Sequence, residues 1–190
     1  MPGNPENQYI RNIDRSRLPP SLMINESLAK SAEKVVVDYF NQNFNGKGMR
    51  ARLATPIEDS GIKREGGKQI DAVVYYAEKP VMCIQITTAR DPSVREQKIR
   101  QLAENPFLRL EEMRREDMSI PKVVVGLNHE EVESFLSNPD FSKYPKISKK
   151  IMSDITKSLL FVLNITKNEK EKKEVKELLL VLESGQNILH

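Results

Sequence analysis

The chain has 190 residues, 38% hydrophobic and 30% charged, with 11 prolines and 8 glycines, enough for one compact domain with a real core. Its formal charge of +3 is too small to identify a nucleic-acid binder by itself, although an uneven distribution would still make a basic face. One cysteine, Cys83, excludes an intramolecular disulfide and a thiolate metal cluster, and two histidines, His129 and His190, argue against a His-based zinc site or a Ser-His-Asp arrangement. Oxygen ligands are the remaining option for a metal.

Residues 1–24 are polar and proline-rich, carry Arg11, Arg15 and Arg17, and show no sustained period; they are expected to form an N-terminal arm. No signal-peptide core is present there, and the longest apolar run, SLLFVLNI, is far short of the roughly 20 residues of a membrane span, so a cytoplasmic protein is expected. From Asn25, a candidate cap, Leu28, Ala32, Val35, Val36, Tyr39 and Phe40 recur at helical spacing, and the helix should close near Gly46. GMRARLATPI then alternates as a strand, and EDSGIKREGGK is a charged, glycine-rich loop. KQIDAVVYYA and VMCIQITTA read as two strands joined by a turn at Glu78, Lys79 and Pro80, apolar on both faces as in a sheet covered by helices on each side.

Asp91 should cap a helix with Pro92 at its first position, SVREQKIRQLAENPFLRLEEM, broken or bent at Pro106. IPKVVVGL is the fourth strand, and NHEEVESFL opens a helix with Asn128 and Glu131 in capping-box spacing. The remainder, 146–190, is predicted as a helical C-terminal extension. Its segment KNEKEKKEVKE alternates in sign as a solvated face does. Leu159, Leu160, Val162, Leu163, Leu178, Leu179, Val181 and Leu182 offer more apolar surface than a helical hairpin buries alone. They should pack on the sheet domain, or form a homodimer or a docking surface for a protein partner.

Two polar residues stand out inside the apolar strands. An ionised carboxylate or an unpaired amide away from water is costly unless compensated, yet Asp71 and Gln85 lie within IDAVV and CIQIT. A hairpin turning about Lys79 would set Asp71 opposite Thr87, with Gln85 the next cross-strand neighbour, and a slip of one residue would send Asp71 and Gln85 to opposite faces. Glu33 sits on or near the apolar face of the first helix. Two acids, an amide oxygen and the Ile86 carbonyl could together hold a hard cation such as Mg²⁺. Simpler roles compete: a strand-end Asp71 bonded to a backbone amide or an Arg, a satisfied core amide at Gln85, a boundary Glu33 paired with Lys30 or Lys34, loop roles for Glu58 and Asp59, and a first-turn helix position for His129.

The element order helix, strand, strand, strand, helix, strand and the spacing of Glu33, Asp71 and the triplet Gln85-Ile86-Thr87 resemble the PD-(D/E)XK nuclease superfamily over about residues 25–127. The resemblance implies an α/β fold with a restriction-endonuclease-like αβββαβ core, a mixed sheet flanked by helices, in a domain spanning 25–145. It implies hydrolysis of nucleic-acid phosphodiesters, DNA before RNA, with Mg²⁺ or Mn²⁺ held by Asp71, Gln85, the Ile86 carbonyl and Glu33. Thr87 stands where that family has its lysine. A neutral Thr can orient a water but cannot stabilise developing negative charge as an ammonium does; Lys98 on the next helix could restore the cation by pointing back. Arg50, Arg52, Lys63, Arg64, Lys68, Arg90, Arg95 and Arg100 could contact phosphates, with Gln97 or Gln101 beside them. Two functions compete: a Mg²⁺-dependent nuclease using Glu33, Asp71, Gln85, Thr87 and Lys98, and a catalytically silent nuclease-like subunit that binds nucleic acid or a protein within a larger assembly.

Overall fold

The computed structural model describes residues 20–55, 70–88, 92–108 and 119–186. In chain order the elements are α1 (Pro20–Asn43), a short 3-10 turn (Asn45–Lys47), β1 (Met49–Leu53), β2 (Ala72–Tyr76), β3 (Lys79–Thr87), α2 (Pro92–Glu104), β4 (Phe107–Leu108), β5 (Ile120–Gly126), α3 (His129–Ser137), α4 (Pro145–Ile165) and α5 (Glu169–Gln186). The fold is α/β, with one mixed sheet in the order β1-β2-β3-β5-β4. Among the described strands only β3 and β5 run parallel, and α2 lies in the crossover between them, as a parallel connection requires.

One boundary differs from the sequence expectation, and past the break expected at Pro106 the chain forms a strand instead of further helix. Helix α1 begins at Pro20, five residues before Asn25, so Asn25 lies inside the helix and does not cap it. Proline is pre-organised for a first helical position and lacks only an N–H that would have no partner there. Helix α2 stops at Glu104 and does not continue through Pro106; Phe107 and Leu108 instead pair with Pro121 and Ile120 as strand β4. The Pro106 ring disfavours helical backbone at Asn105, and the Pro106 carbonyl accepts the Lys122 N–H at 2.8 Å. The capping box at Asn128 and Glu131 forms as the spacing predicted, with both reciprocal hydrogen bonds present.

Alternate residues of β2 and β3 are buried on opposite faces, as the doubly apolar pattern requires. Ala72, Val74, Met82 and Ile84 belong to the main core with Ala32, Val35, Val36, Tyr39 and Phe40 of α1, whereas Val73, Tyr75 and Cys83 form a smaller cluster with Ile70 and Ile120. The C-terminal helices share the main core. Helix α4 packs along β5 and buries Ile147, Ile151, Ile155, Leu159 and Val162, residues spaced three or four apart on one helical stripe. Leu178 and Leu182 of α5 are buried too, while Leu160 and Leu180 remain exposed. Among the described residues no helix is long and apolar enough to cross a membrane.

Side chains occupy the borders of the long strands. On β1 the Asn41 amide donates to the Ala51 carbonyl at 3.1 Å and accepts the Ala51 N–H at 2.8 Å, taking the place of a neighbouring strand. Beyond the two-residue β4, the N–H groups of Val124 and Gly126 donate to Ser158 Oγ and Asp154 Oδ2 of α4. Replacing Asn41 with Ala orphans both groups of a buried residue and should lower stability by about 1–2 kcal/mol. Urea denaturation measures this, and an unchanged midpoint would show that water serves Ala51 equally well.

Candidate functional site

At one end of the sheet three strands offer polar residues. Strands β3 and β5 finish there with Thr87 paired to Gly126, and Asp71 lies at the same end, directly before β2. The carboxyl ends of parallel strands are where open α/β sheets place their ligand crevices.

The hairpin determines what shares a face. Its turn is Ala77-Glu78, both at positive φ (46° and 66°), a conformation that suits a two-residue hairpin to the twist of its strands. Beside the turn Tyr76 pairs with Lys79 and Tyr75 with Pro80, a register that would have set Asp71 and Gln85 on opposite faces. A bulge between Val74 and Tyr75 shifts the pairing by one, so that Val73 meets Cys83 and Ala72 meets Ile84. Past the bulge Val73, Cys83, Gln85 and Thr87 therefore lie on one face. Carried one residue further, this register brings Asp71 to Gln85, where a turn about Lys79 predicted Thr87.

Asp71 is half-buried and grips the backbone on either side of Gln85. Its N–H donates to the Ile84 carbonyl at 2.8 Å and its Oδ2 accepts the Ile86 N–H. This is the backbone-amide role weighed for Asp71 as the simpler alternative, and it leaves the carboxylate charge in place. Gln85 and Thr87 are both buried, at 5% and 7% exposure.

Lys98 does point back. From the middle of α2 its Nζ donates to the Ile86 carbonyl at 2.9 Å, beside Asp71. Burial pulls its pKa below the ordinary lysine value, and the Asp71 carboxylate opposes that fall. Gln97 and Arg100 are exposed on the same helix, Arg100 lying 3.9 Å from Glu96, and Gln101 is half-buried.

Two further groups were not singled out from the sequence. Lys122 is only 6% exposed and pairs with Cys83 in the parallel register, so it shares the face of Gln85 and Thr87. Burial lowers its pKa; Cys83 opposes this and the Lys98 charge lowers it further. Its signal was available, because a lysine inside IPKVVVGL is as anomalous as an aspartate inside IDAVV. Asp154, 5% exposed, accepts the Gly126 N–H at 3.0 Å, and its Oδ2 and the Thr87 methyl both lie within van der Waals reach of a side chain placed at Gly126, so this acid borders the Thr87 face; an acid on the apolar stripe of α4 would have disclosed it.

The remaining candidates are dispersed. Glu33 is half-buried on α1 and already engaged. Arg50 and Arg52 stack on Tyr75, their guanidinium carbons 5.3 and 5.6 Å from the ring centroid; Arg50 also pairs with Glu78, and Arg52 Nε donates to the Tyr75 hydroxyl. They extend the positive charge of this face toward β1. Glu58, Asp59, Lys63, Arg64, Lys68 and Arg90, and the Arg95 side chain, lie outside the described residues. His129 holds a first-turn helix position, with Nε2 3.1 Å from Glu133 Oε1.

Of the ligands expected for Mg²⁺, the Ile86 carbonyl is occupied by Lys98 and one Asp71 oxygen by the Ile86 N–H. Among the described residues no three acidic, histidine or cysteine side chains converge as a metal site. Hard divalent ions want several oxygen donors of net negative charge. This cluster instead combines two ammonium groups with the Asp71 carboxylate and two neutral side chains, with Asp154 at its Gly126 border, a poor fit to a divalent cation and a better one to an anion. Compared with family models, curated proteins and solved structures, the chain matches none.

Proposed function

We propose that the domain binds nucleic acid by its phosphodiester backbone at the sheet end formed by Asp71, Gln85, Thr87 and Lys98, within a core resembling the PD-(D/E)XK fold. The observation that carries this reading is Lys98. A lysine drawn from a neighbouring helix onto the Ile86 carbonyl restores, beside Thr87, the cation that the triplet lacks. Phosphate contacts of this kind supply affinity without reading bases, and the flanking Arg50 and Arg52 lie on the same positive face. DNA comes before RNA by resemblance alone.

Lys98→Ala should weaken binding to a labelled oligonucleotide by about tenfold, in the range lost with one charged hydrogen-bond partner, and flatten the salt dependence by about one counterion. Fluorescence anisotropy across a salt series tests this, and equal affinities would remove Lys98 from the interface. Binding should also weaken as pH rises, starting below the ordinary lysine pKa of 10.5. The charged ammonium is the binding form, and burial makes it lose its proton early.

A second reading, metal-dependent hydrolysis, is favoured by the placement of Lys98 beside Asp71, the acid and lysine that the resemblance asks for. Incubating single-stranded, duplex and branched DNA, and RNA, with the protein and Mg²⁺ or Mn²⁺ tests it. Cleavage abolished by Asp71→Ala would establish the hydrolase; no cleavage alongside measurable binding would leave the binding domain.

A further inference from the structure

We propose that Lys98 and Lys122 form a two-ammonium seat for a single phosphate group of a nucleic acid, with the Gln85 amide beside it. The inference rests on the nucleic-acid reading above and names the chemistry of its deepest contact.

Lys122 is the unusual member. Lysine is almost never fully buried unless paired, yet this one is 6% exposed on a central strand, in register with Cys83 and on the face that carries Gln85 and Thr87. Its principal electrostatic neighbours are Cys83 and a second cation, Lys98, and the charge of Lys98 disfavours its own. The Asp71 carboxylate lies beside Lys98, whose Nζ is held on the Ile86 carbonyl. Two partly desolvated ammonium groups that repel each other are stabilised together by one anion between them. A phosphate oxyanion can accept hydrogen bonds from both lysines and from the Gln85 NH₂, all groups able to donate. Lysine binds phosphate as a point charge, so the seat needs no planar fork.

The phosphate has two sources, a terminal phosphate monoester and an internal phosphodiester. The test uses the full chain and three probes: a labelled oligonucleotide with a 5′-phosphate, the same oligonucleotide with a 5′-hydroxyl, and inorganic phosphate as competitor. Lys122→Met keeps the length and apolar stem of the side chain while removing the charge, and should fold with a Tm at or above that of the native chain. It is expected to bind about tenfold more weakly and to reduce the salt slope by about one. A preference for the 5′-phosphate, lost in Lys122→Met together with competition by inorganic phosphate, identifies a terminal monoester; equal binding of both oligonucleotides, weakened alike in the variant, identifies an internal diester. Native affinity in a folded Lys122→Met, with Lys98→Ala still weakened, overturns the seat and leaves the nucleic-acid reading standing. No binding of any probe by the native chain overturns both.

Discussion

Asp71→Asn should bind oligonucleotides more tightly than the native chain, by about fivefold at neutral pH. The amide keeps an oxygen to accept the Ile86 N–H and removes the negative charge of Asp71 beside Lys98. A charge a few ångströms away across a partly screened site is worth about 1–2 kcal/mol, here in favour of the incoming phosphate. The hydrolase reading predicts the reverse sign for function, since loss of the carboxylate would abolish metal-dependent cleavage. Anisotropy titration and a Mg²⁺ or Mn²⁺ cleavage assay on the same preparation separate the two. Unchanged affinity would detach Asp71 from the anion site. Lys98 also changes, because Asp71 holds its pKa up and the variant lets it fall further. Between that lowered value and 10.5 the unfolded chain keeps a proton that the folded chain has lost, so this lysine makes stability rise with pH across that window. The window widens in the variant, and the gain in affinity fades at alkaline pH.

Phe135→Ala should lower stability by about 3–5 kcal/mol, the usual cost of truncating a buried phenylalanine. Phe135 is fully buried, its ring 4.1 Å from Phe141 and 6.0 Å from Tyr144, and Phe141 reaches Tyr39 of α1 at 5.3 Å. Its removal therefore opens the junction of α1, α3 and the chain entering α4. A domain of this kind has about 5–15 kcal/mol in total, so the variant should unfold at markedly lower urea. Phe135→Leu, which retains most of the volume, should recover much of the loss. A midpoint shift in Phe135→Ala worth less than about 1 kcal/mol would show that the site collapses around the cavity and that the aromatic cluster is not a stability centre.

The sequence disclosed the site through chemistry and missed its geometry. Asp71 and Gln85 stand out because charge and amide are rare within apolar strands, and a missing cation beside Thr87 points to Lys98 on the next helix, which does contact the Ile86 carbonyl. Their common face was expected for the wrong reason. The turn lies at Ala77-Glu78 and not about Lys79, and the bulge at Val74 and Tyr75 restores the parity that this turn alone would have lost. A bulge without glycine leaves no local mark in the sequence. Lys122 carried the same anomaly as Asp71, but one charged residue near a strand start was absorbed into the strand pattern. Strand β4 was hidden because Phe107 and Leu108 continue the apolar spacing of α2, and only tertiary pairing with β5 makes them extended. The packing of α4 on β5 was left open in the sequence, since an amphipathic stripe does not say what it covers.

The capped strand borders have a consequence for how the domain can be recruited. Strand addition needs a free row of N–H and C=O groups as its template, and Asn41 interrupts that row on β1 while Ser158 and Asp154 interrupt it on β5. An extended peptide seeking to lengthen the sheet there would first have to displace a side chain already bonded in its place. Recruitment at either border is thus closed to strand exchange, and fusion tags or partner peptides designed to dock as extra strands should fail at these two positions while leaving the polar end of the sheet free to act.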